Sequence, residues 1–279
     1  MDKKIFDNFF ELYSENVDNA DKNSYFWKLS DKIILEIIKK EILNIANKDS
    51  IIFDAGGGSG CWTVKMSNKL KANFVIYDRS EHMLKKAKIN IKHANLQNKV
   101  KIICGDLINI KKYKTGAVDF IVSIYSPISF VYDYQKAFSE MYRILKPGGK
   151  IIIMAHGFYN ALYSKINNYF ASVIELNNLS KKHIVKWSKS VPDLITYSKE
   201  SISKELIRAG FLIENNFGIP VFVQPGLEDF DSTNKSISKI SEYLRDKEIF
   251  NFIFNLEMKY NSLPEVINRG MNIFILAKK

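Results

Sequence analysis

Five short apolar runs constrain this chain's fold more than any other feature: "IIFDAG", "NFVIYD", "VKIICGD", "VDFIVSIY" and "KIIIMAH". They begin at Ser50 and recur about 25 residues apart. Each is rich in β-branched residues and apolar throughout, as strands covered on both faces require. The stretches between them, such as "SEHMLKKAKINIK" and "YQKAFSEMYRILK", carry apolar residues at helical spacing. Strands alternating with helices specify a doubly wound α/β sheet, mostly parallel, with helices on both faces.

With 279 residues the chain can bury a sizeable core. A hydrophobic share of 46% beside 25% charged residues excludes a disordered chain. No apolar run approaches the roughly 20 residues that cross a bilayer, so no membrane partner is expected. The opening "MDKKIFDNFFELY" lacks the uninterrupted apolar core and small-residue cleavage site of a secretion signal. Two cysteines, Cys61 and Cys104, are too few for a disulfide framework or a cysteine-built zinc site. A reducing, cytoplasmic setting is expected. The net charge of +11 is mostly scattered lysine, which reads as a solvated surface rather than a nucleic-acid footprint.

Four segments follow. Residues 1–49 hold a helix through Ile5, Phe6, Phe9, Phe10 and Tyr13, a polar loop "DNADKNS", and a helix in "KLSDKIILEIIKKEILNIA" capped by Ser30 or Asp31. Residues 50–156 form the Rossmann-like half that binds a cofactor. In 157–199 the alternation stops, and Phe158, Tyr159, Leu162, Tyr163, Ile166, Tyr169 and Phe170 run at helical spacing, the pattern of an inserted helical cap. Residues 200–279 complete the sheet through "FLIENNFGIPVF", a long helical stretch in "SISKISEYLRDKEIFNFIFNLEMKYN" and a closing "GMNIFILAKK". The N-terminal helices and the cap are expected to close the cleft.

The first run leads into "DAGGGSGCWT". A P-loop would need Lys-Ser/Thr after its last glycine, and a dinucleotide fingerprint would need glycine where Cys61 stands. What remains is D-x-G-x-G-x-G: Asp54, Gly56, Gly58, Gly60. Asp54 would repel a pyrophosphate at the mouth of this loop and attract a ligand bearing an ammonium and a sulfonium. S-adenosylmethionine carries both. Asp78 ends the second strand 18 residues past Gly60, where a carboxylate accepts from both ribose hydroxyls. Asp106 ends the third strand, where its carboxylate can accept from an adenine amino group, and Met83 is placed to pack on the adenine face. A strand-end Asp is often only a helix cap. Three at successive strand ends point to one ligand.

"DAGGGSGCWT", "YDRSEHML", "CGDL" and "YRILKPGGKIIIM" resemble the successive motifs of the class I S-adenosylmethionine-dependent methyltransferases. The resemblance implies a seven-stranded sheet with a reversed final strand. It places Asp54, Gly56, Gly58 and Gly60 at the methionine end of the cofactor. Asp78 then holds the ribose, with Arg79 and Met83 beside it. Asp106 and Leu107 flank adenine, and the Ser123 carbonyl meets the ammonium. Cys61, unusual at its position, reads as packing. "FGIPVF", "LEMKY" and "INRGMNIFILAKK" are similar to the subgroup that methyl-esterifies a carboxymethoxy-modified uridine of tRNA.

Methyl transfer is an in-line displacement that draws most of its rate from positioning, and a base is needed only for a hydroxyl or protonated-amine acceptor. His156, at the end of the fifth strand, is the candidate base, against the plainer role of a histidine bonded to backbone. Tyr125, just past the fourth strand, is the second candidate, against a role as cleft wall. The four histidines show no metal-ligand spacing, and no metal is expected. "SIYSPISF" lacks the N-P-P-Y type of motif used on adenine amines, and no Pro-Cys pair offers a nucleophile for cytosine. The leading reading is an enzyme methylating a small-molecule acceptor. A tRNA- or RNA-modifying methyltransferase and a non-catalytic cofactor-binding partner protein are the alternatives.

Overall fold

The computed structural model describes residues 3–16, 24–231 and 236–279. Of the polar loop at 18–24, all but Ser24 lies outside them. α1 spans Lys3–Asn16, and α2 spans Tyr25–Ile38 and runs on as a π-turn, Lys39–Leu43. Then β1 (Ile51–Ala55), α3 (Cys61–Ser67), β2 (Asn73–Asp78), α4 (Glu81–His93), β3 (Val100–Cys104) and β4 (Val118–Ser123) alternate. A 3-10 turn (Pro127–Phe130) and α5 (Tyr134–Ile144) lead into β5 (Leu145–His156). After the segment beyond His156, α8 (Lys199–Arg208), β8 (Leu212–Ile219), a 3-10 turn (Leu227–Phe230), α9 (Lys239–Tyr243), α10 (Lys247–Tyr260), α11 (Pro264–Ile267) and β9 (Asn272–Lys278) close the chain.

These strands form one seven-stranded sheet in the order β3-β2-β1-β4-β5-β9-β8. All pairs from β3 to β5 are parallel, while β9 runs antiparallel to both its neighbours. The apolar runs are explained by burial on both faces. Ile52, Phe74, Ile76, Ile152 and Met154 face one core with α2 and α4, and Phe53, Val75, Tyr77, Ile151 and Ile153 face the other with α5 and α8. Strand order reverses between β1 and β4, so their carboxyl ends open a crevice for a ligand.

Two details depart from the sequence reading and a third sharpens it. α2 starts at Tyr25, because the Ser24 side chain accepts from the Trp27 N–H; Ser30 and Asp31 are interior to it. The long C-terminal helical stretch is two helices. Ser238 caps α9, and Asp246 accepts from the Glu248 and Ile249 N–H groups to start α10 afresh. Beyond His156, α6 (Phe158–Asn167) and α7 (Val173–Lys182) are helical, but "HIVKWSKSVPDLI" forms a small antiparallel pair, β6 (Ile184–Val185) with β7 (Leu194–Ile195). This segment leaves and rejoins the sheet at adjacent points: Phe158 N–H donates to the Tyr197 carbonyl and Tyr197 N–H to the His156 carbonyl. Among the described residues, no helix is long and apolar enough to cross a membrane.

The pair "FGIPVF" and "LEMKY" has a plain structural use. The fully buried Glu257 carboxylate, from α10, accepts N–H bonds from Val221, Phe222 and Val223 at 2.8, 2.9 and 3.2 Å. Burial pushes this carboxyl above its ordinary range, and the three donors pull against it.

Candidate active site

A cavity of about 390 Å³ opens at the carboxyl ends of the strands. One end is built from backbone. Gly56, Gly58 and Gly60 have φ of 72, 52 and 73°, conformations that side chains resist. A Cβ at Gly57 would stand 2.7 Å from the Asp54 carboxyl carbon, and one at Gly58 2.9 Å from Met83 Cε. Only a bare loop fits between β1 and α4. Asp78 ties it down: one carboxylate oxygen accepts from Gly58 N–H at 3.0 Å, the other from Ser80 N–H at 2.8 Å. Burial raises the Asp78 carboxyl above its ordinary range, while these backbone bonds and Arg79 lower it.

The sequence candidates separate into two layers. Gly56, Gly58, Asp78, Arg79, Met83, Asp106 and Leu107 line the cavity, as do Tyr125 and His156. Asp54, Gly60 and Ser123 do not. Asp54 is buried one backbone layer below, its carboxylate accepting from Thr63 Oγ1 at 2.7 Å. Desolvation lifts its pKa to about 7, the Thr63 bond opposes the rise, and Asp78 adds to it. Gly60 starts α3 and packs toward Ile76. Ser123 is wholly buried at the end of β4. Asp106 also caps its own turn, accepting from Ile108 N–H at 3.2 Å. Cys61, read as packing, lines the cavity.

The rest of the cavity is walled by side chains. Phe6, Phe9, Phe10 and Tyr13 of α1 all face the cavity. Phe6 and Phe10 meet Phe130 at ring distances of 6.3 and 5.4 Å, and the Arg79 guanidinium lies 3.9 Å from the Phe6 ring centre. Tyr125 and Ser126 sit consecutively in the left-handed region, φ 60 and 64°, a turn that puts both side chains at the crevice. Tyr125 Oη donates to Asp31, which also holds Lys65, and Trp27 and Trp62 enclose the phenol at 5.6 and 5.9 Å.

His156 is 8% exposed, its Nε2 has no hydrogen-bond partner, and burial alone pulls its pKa down to about 4. The backbone role weighed for it belongs to its main chain: its N–H donates to Ser129 Oγ at 3.0 Å. Across the sheet its register partner is Asn272, whose Oδ1 accepts from Ser126 Oγ at 2.8 Å. His156, Asn272 and Ser126 thus form one neutral polar spot, walled by Trp187, Val191 and Leu194.

Sequence reasoning missed Asn272, Ser126, Trp27, Asp31, Lys65 and Trp187, which come from distant segments and carry no shared motif. It also missed Asp229. That buried carboxylate accepts from Ser24 and Ser241 hydroxyls at 2.7 and 2.6 Å, its carbonyl accepts from Trp27 Nε1, and it bolts α2 to the C-terminal loop. A pattern search has no signal for a contact between residues 24 and 229.

The residues present fit S-adenosylmethionine: a glycine cradle that a Cβ would fill, a carboxylate at the second strand end, and aromatic walls around the methyl-bearing end. Residues 52–149 match a family described as a methyltransferase domain. Demethylmenaquinone methyltransferase of Listeria welshimeri is 30% identical over 117 residues, covering 40% of this chain and 48% of that protein. The chain spans about half the length of the curated relatives it matches. A solved structure from Methanococcus maripaludis, described as a candidate S-adenosyl-L-methionine-dependent methyltransferase, is 26% identical with a TM-score of 0.52, covering 74% of this chain and 88% of that one. The candidate methyltransferase solved with the Haloferax volcanii Trm112 activator shares the fold over 96% of each chain, at a TM-score of 0.60 and 14% identity. Residues 52–149 thus carry a methyltransferase domain, and the seven-stranded sheet around them has the fold of the class I S-adenosylmethionine-dependent methyltransferases.

Proposed function

We propose that the protein transfers a methyl group to a small, largely apolar acceptor carrying one neutral polar group. The observation that carries this is the division of the cavity. Its strand-end half offers carboxylates and backbone, while its other half offers aromatic rings around His156 and Asn272. Among the described lining residues the lysine and arginine side chains are Lys65 and Arg79, and both are engaged, with Asp31 and the Phe6 ring. An acceptor that brought phosphates would lack a cation to meet them. That weighs against RNA, and the name of the Listeria relative also points to a small acceptor.

S-adenosylmethionine supplies an electrophilic methyl on a sulfonium. The chain's own residues do the rest. Asp78 and Gly58 hold the ribose end, Asp106, Leu107 and Met83 the adenine, and Asp54 supplies negative charge beneath the methionine end. Aromatic walls exclude water, which favours a reaction whose charge disperses in the transition state. His156 at a pKa of about 4 is neutral at working pH and too weak a base to drive deprotonation. Its unpartnered Nε2 instead bonds the acceptor's polar group, with Asn272 beside it. Tyr125, fixed by Asp31, is the better placed group if a hydroxyl proton has to leave.

The test incubates the protein with methyl-labelled cofactor against separate pools of organic-extractable metabolites and of tRNA. Label in the organic pool is expected. Label only in tRNA would replace this reading with RNA modification, and cofactor binding without label in either pool would favour a non-catalytic partner.

A further inference from the structure

The segment between β5 and α8 turns its apolar side outward. Tyr159, Tyr163, Ile166 and Phe170 follow one another at intervals of four, three and four residues, a single stripe along α6 and the turn after it. Val173 and Ile174, in the first turn of α7, continue it. These six side chains are between 48 and 85% exposed. The face of α6 turned inward buries Asn160, Ala161 and Lys165 instead. Among the described residues, seven of the 21 large apolar side chains that stand in solvent, Tyr169 included, fall within residues 159–174. Such concentration marks an interaction surface rather than scattered exposure.

Two further observations say what covers it. The first is charge. Residues 157–198 hold five lysines against Glu175 and Asp193. Lys165 is buried and paired with Glu175 at 3.1 Å, while Lys181, Lys182, Lys186 and Lys189 are exposed. Lys181 and Lys182 end α7 two turns from Ile174. Aromatic and β-branched side chains flanked by lysines suit an anionic lipid surface, where rings enter the head-group boundary and ammonium groups meet phosphates. A second copy of the chain would set like charges against each other across a twofold axis. The second observation is continuity with the site. The Tyr169 ring packs on Trp187 at 5.3 Å, and Trp187 stands edge-on to His156 at 5.5 Å. One aromatic wall thus separates the outward stripe from the acceptor end of the cavity.

We infer that this face docks the protein on an anionic lipid surface, with Phe170, Val173 and Ile174 entering the boundary and Lys181 and Lys182 on the head groups. The docking stands on the face itself. That the acceptor is lipid-dissolved and passes the Trp187 wall rests on the methyl-transfer reading. Among the described residues no helix is long and apolar enough to cross a membrane, and docking on this face needs only its surface side chains.

The experiment sediments the full chain with phosphatidylcholine vesicles, with and without phosphatidylglycerol. Binding is expected to the phosphatidylglycerol vesicles and to weaken as salt is raised. The double substitution Phe170→Ser, Ile174→Ser should lower partitioning about tenfold or more, from the apolar area withdrawn. Lys181→Glu with Lys182→Glu should lower it about 25-fold or more, on the anionic vesicles only, at roughly fivefold per lysine removed. All four residues are exposed and outside the cavity, so circular dichroism and calorimetry with S-adenosylmethionine should be unchanged. Failure of that calorimetry in the wild type would count against the methyl-transfer reading, not against docking. Equal sedimentation of wild type and variants, or none with either vesicle, would overturn the docking. So would a concentration-dependent dimer, seen by light scattering without lipid, that the Phe170 and Ile174 substitutions abolish.

Discussion

The two ends of the cavity are built on different principles. At the strand ends the ligand surface is main chain, shaped by glycines at positive φ and braced by carboxylates that accept backbone N–H bonds. Beyond them it is a collection of rings from α1, α2, the Pro127–Phe130 turn and the segment after β5, with α1 reaching back over Arg79. The segment after β5 has little core of its own. Ala161, Leu179, Val185 and Leu194 are its buried cluster, against the two large clusters that sandwich the sheet. A surface of backbone tolerates almost no change of ligand, whereas a surface of side chains on lightly anchored helices can be recut without touching the sheet. The difference teaches where the chemistry is fixed and where the acceptor is chosen.

The largest effect that separates the two ends is expected at Asp78. Asp78→Ala removes the charge-assisted bonds assigned to the ribose and frees the Gly58 and Ser80 N–H groups from their brace. S-adenosylmethionine affinity should fall by about 2–4 kcal/mol, while the acceptor KM, at saturating cofactor, stays near wild type. Calorimetry and initial rates measure the two. An acceptor KM that rises as steeply as the cofactor Kd would show that the two ends are one surface.

Asp54 should show a smaller effect whose two parts have opposite signs. Its folded pKa of about 7 lies above the ordinary 3.8, so the folded protein keeps a proton that the unfolded chain has lost. Stability from this group therefore falls as pH rises from about 4 to 7. Asp54→Asn removes that dependence, and the cofactor-free variant should melt no lower than wild type at pH 8. The same substitution removes the negative charge under the methionine end and should weaken S-adenosylmethionine about tenfold at that pH, from ~1.4 kcal/mol of screened attraction. A variant that melts lower and binds as before would show that Asp54 only holds Thr63.

This contrast also explains what was legible beforehand. Strand runs, glycines and strand-end carboxylates are local: Asp54 to Asp106 lie within one continuous stretch, and each answers to a backbone requirement. So the parallel sheet and the strand-end residues that meet at the crevice were readable, while the reversed last strand followed only from the family resemblance. The polar spot was half readable, since His156 ends a recognisable strand, but Asn272 reaches it only through the β5–β9 register, more than a hundred residues away in the chain. The cap of α2 was misplaced for the same reason. Ser24 is held by Asp229 as well as by its own helix, and only the folded chain brings those together. Amphipathic spacing in α6 announced a helix without saying that its apolar stripe would face water.

The smallest effects should come from His156, and they bear on the far end alone. Desolvation brings its pKa to about 4, from an ordinary 6.5, so between those values the unfolded chain binds a proton that the folded protein does not. Stability should thus fall as pH drops from about 6.5 to 4, and His156→Gln, which cannot charge, should flatten that part of the melting curve. In turnover, a neutral imidazole that only bonds the acceptor predicts a rate that does not change with pH between about 6 and 8. His156→Gln keeps a bonding group and should alter kcat by less than about threefold. His156→Leu strands the acceptor's polar group in an apolar wall and should raise its KM about fivefold. A general base would behave otherwise, with kcat rising through the imidazole's titration and both substitutions costing about 10²–10⁴ in turnover. Rates measured across pH for the two variants therefore decide whether the far end only selects the acceptor or also takes its proton.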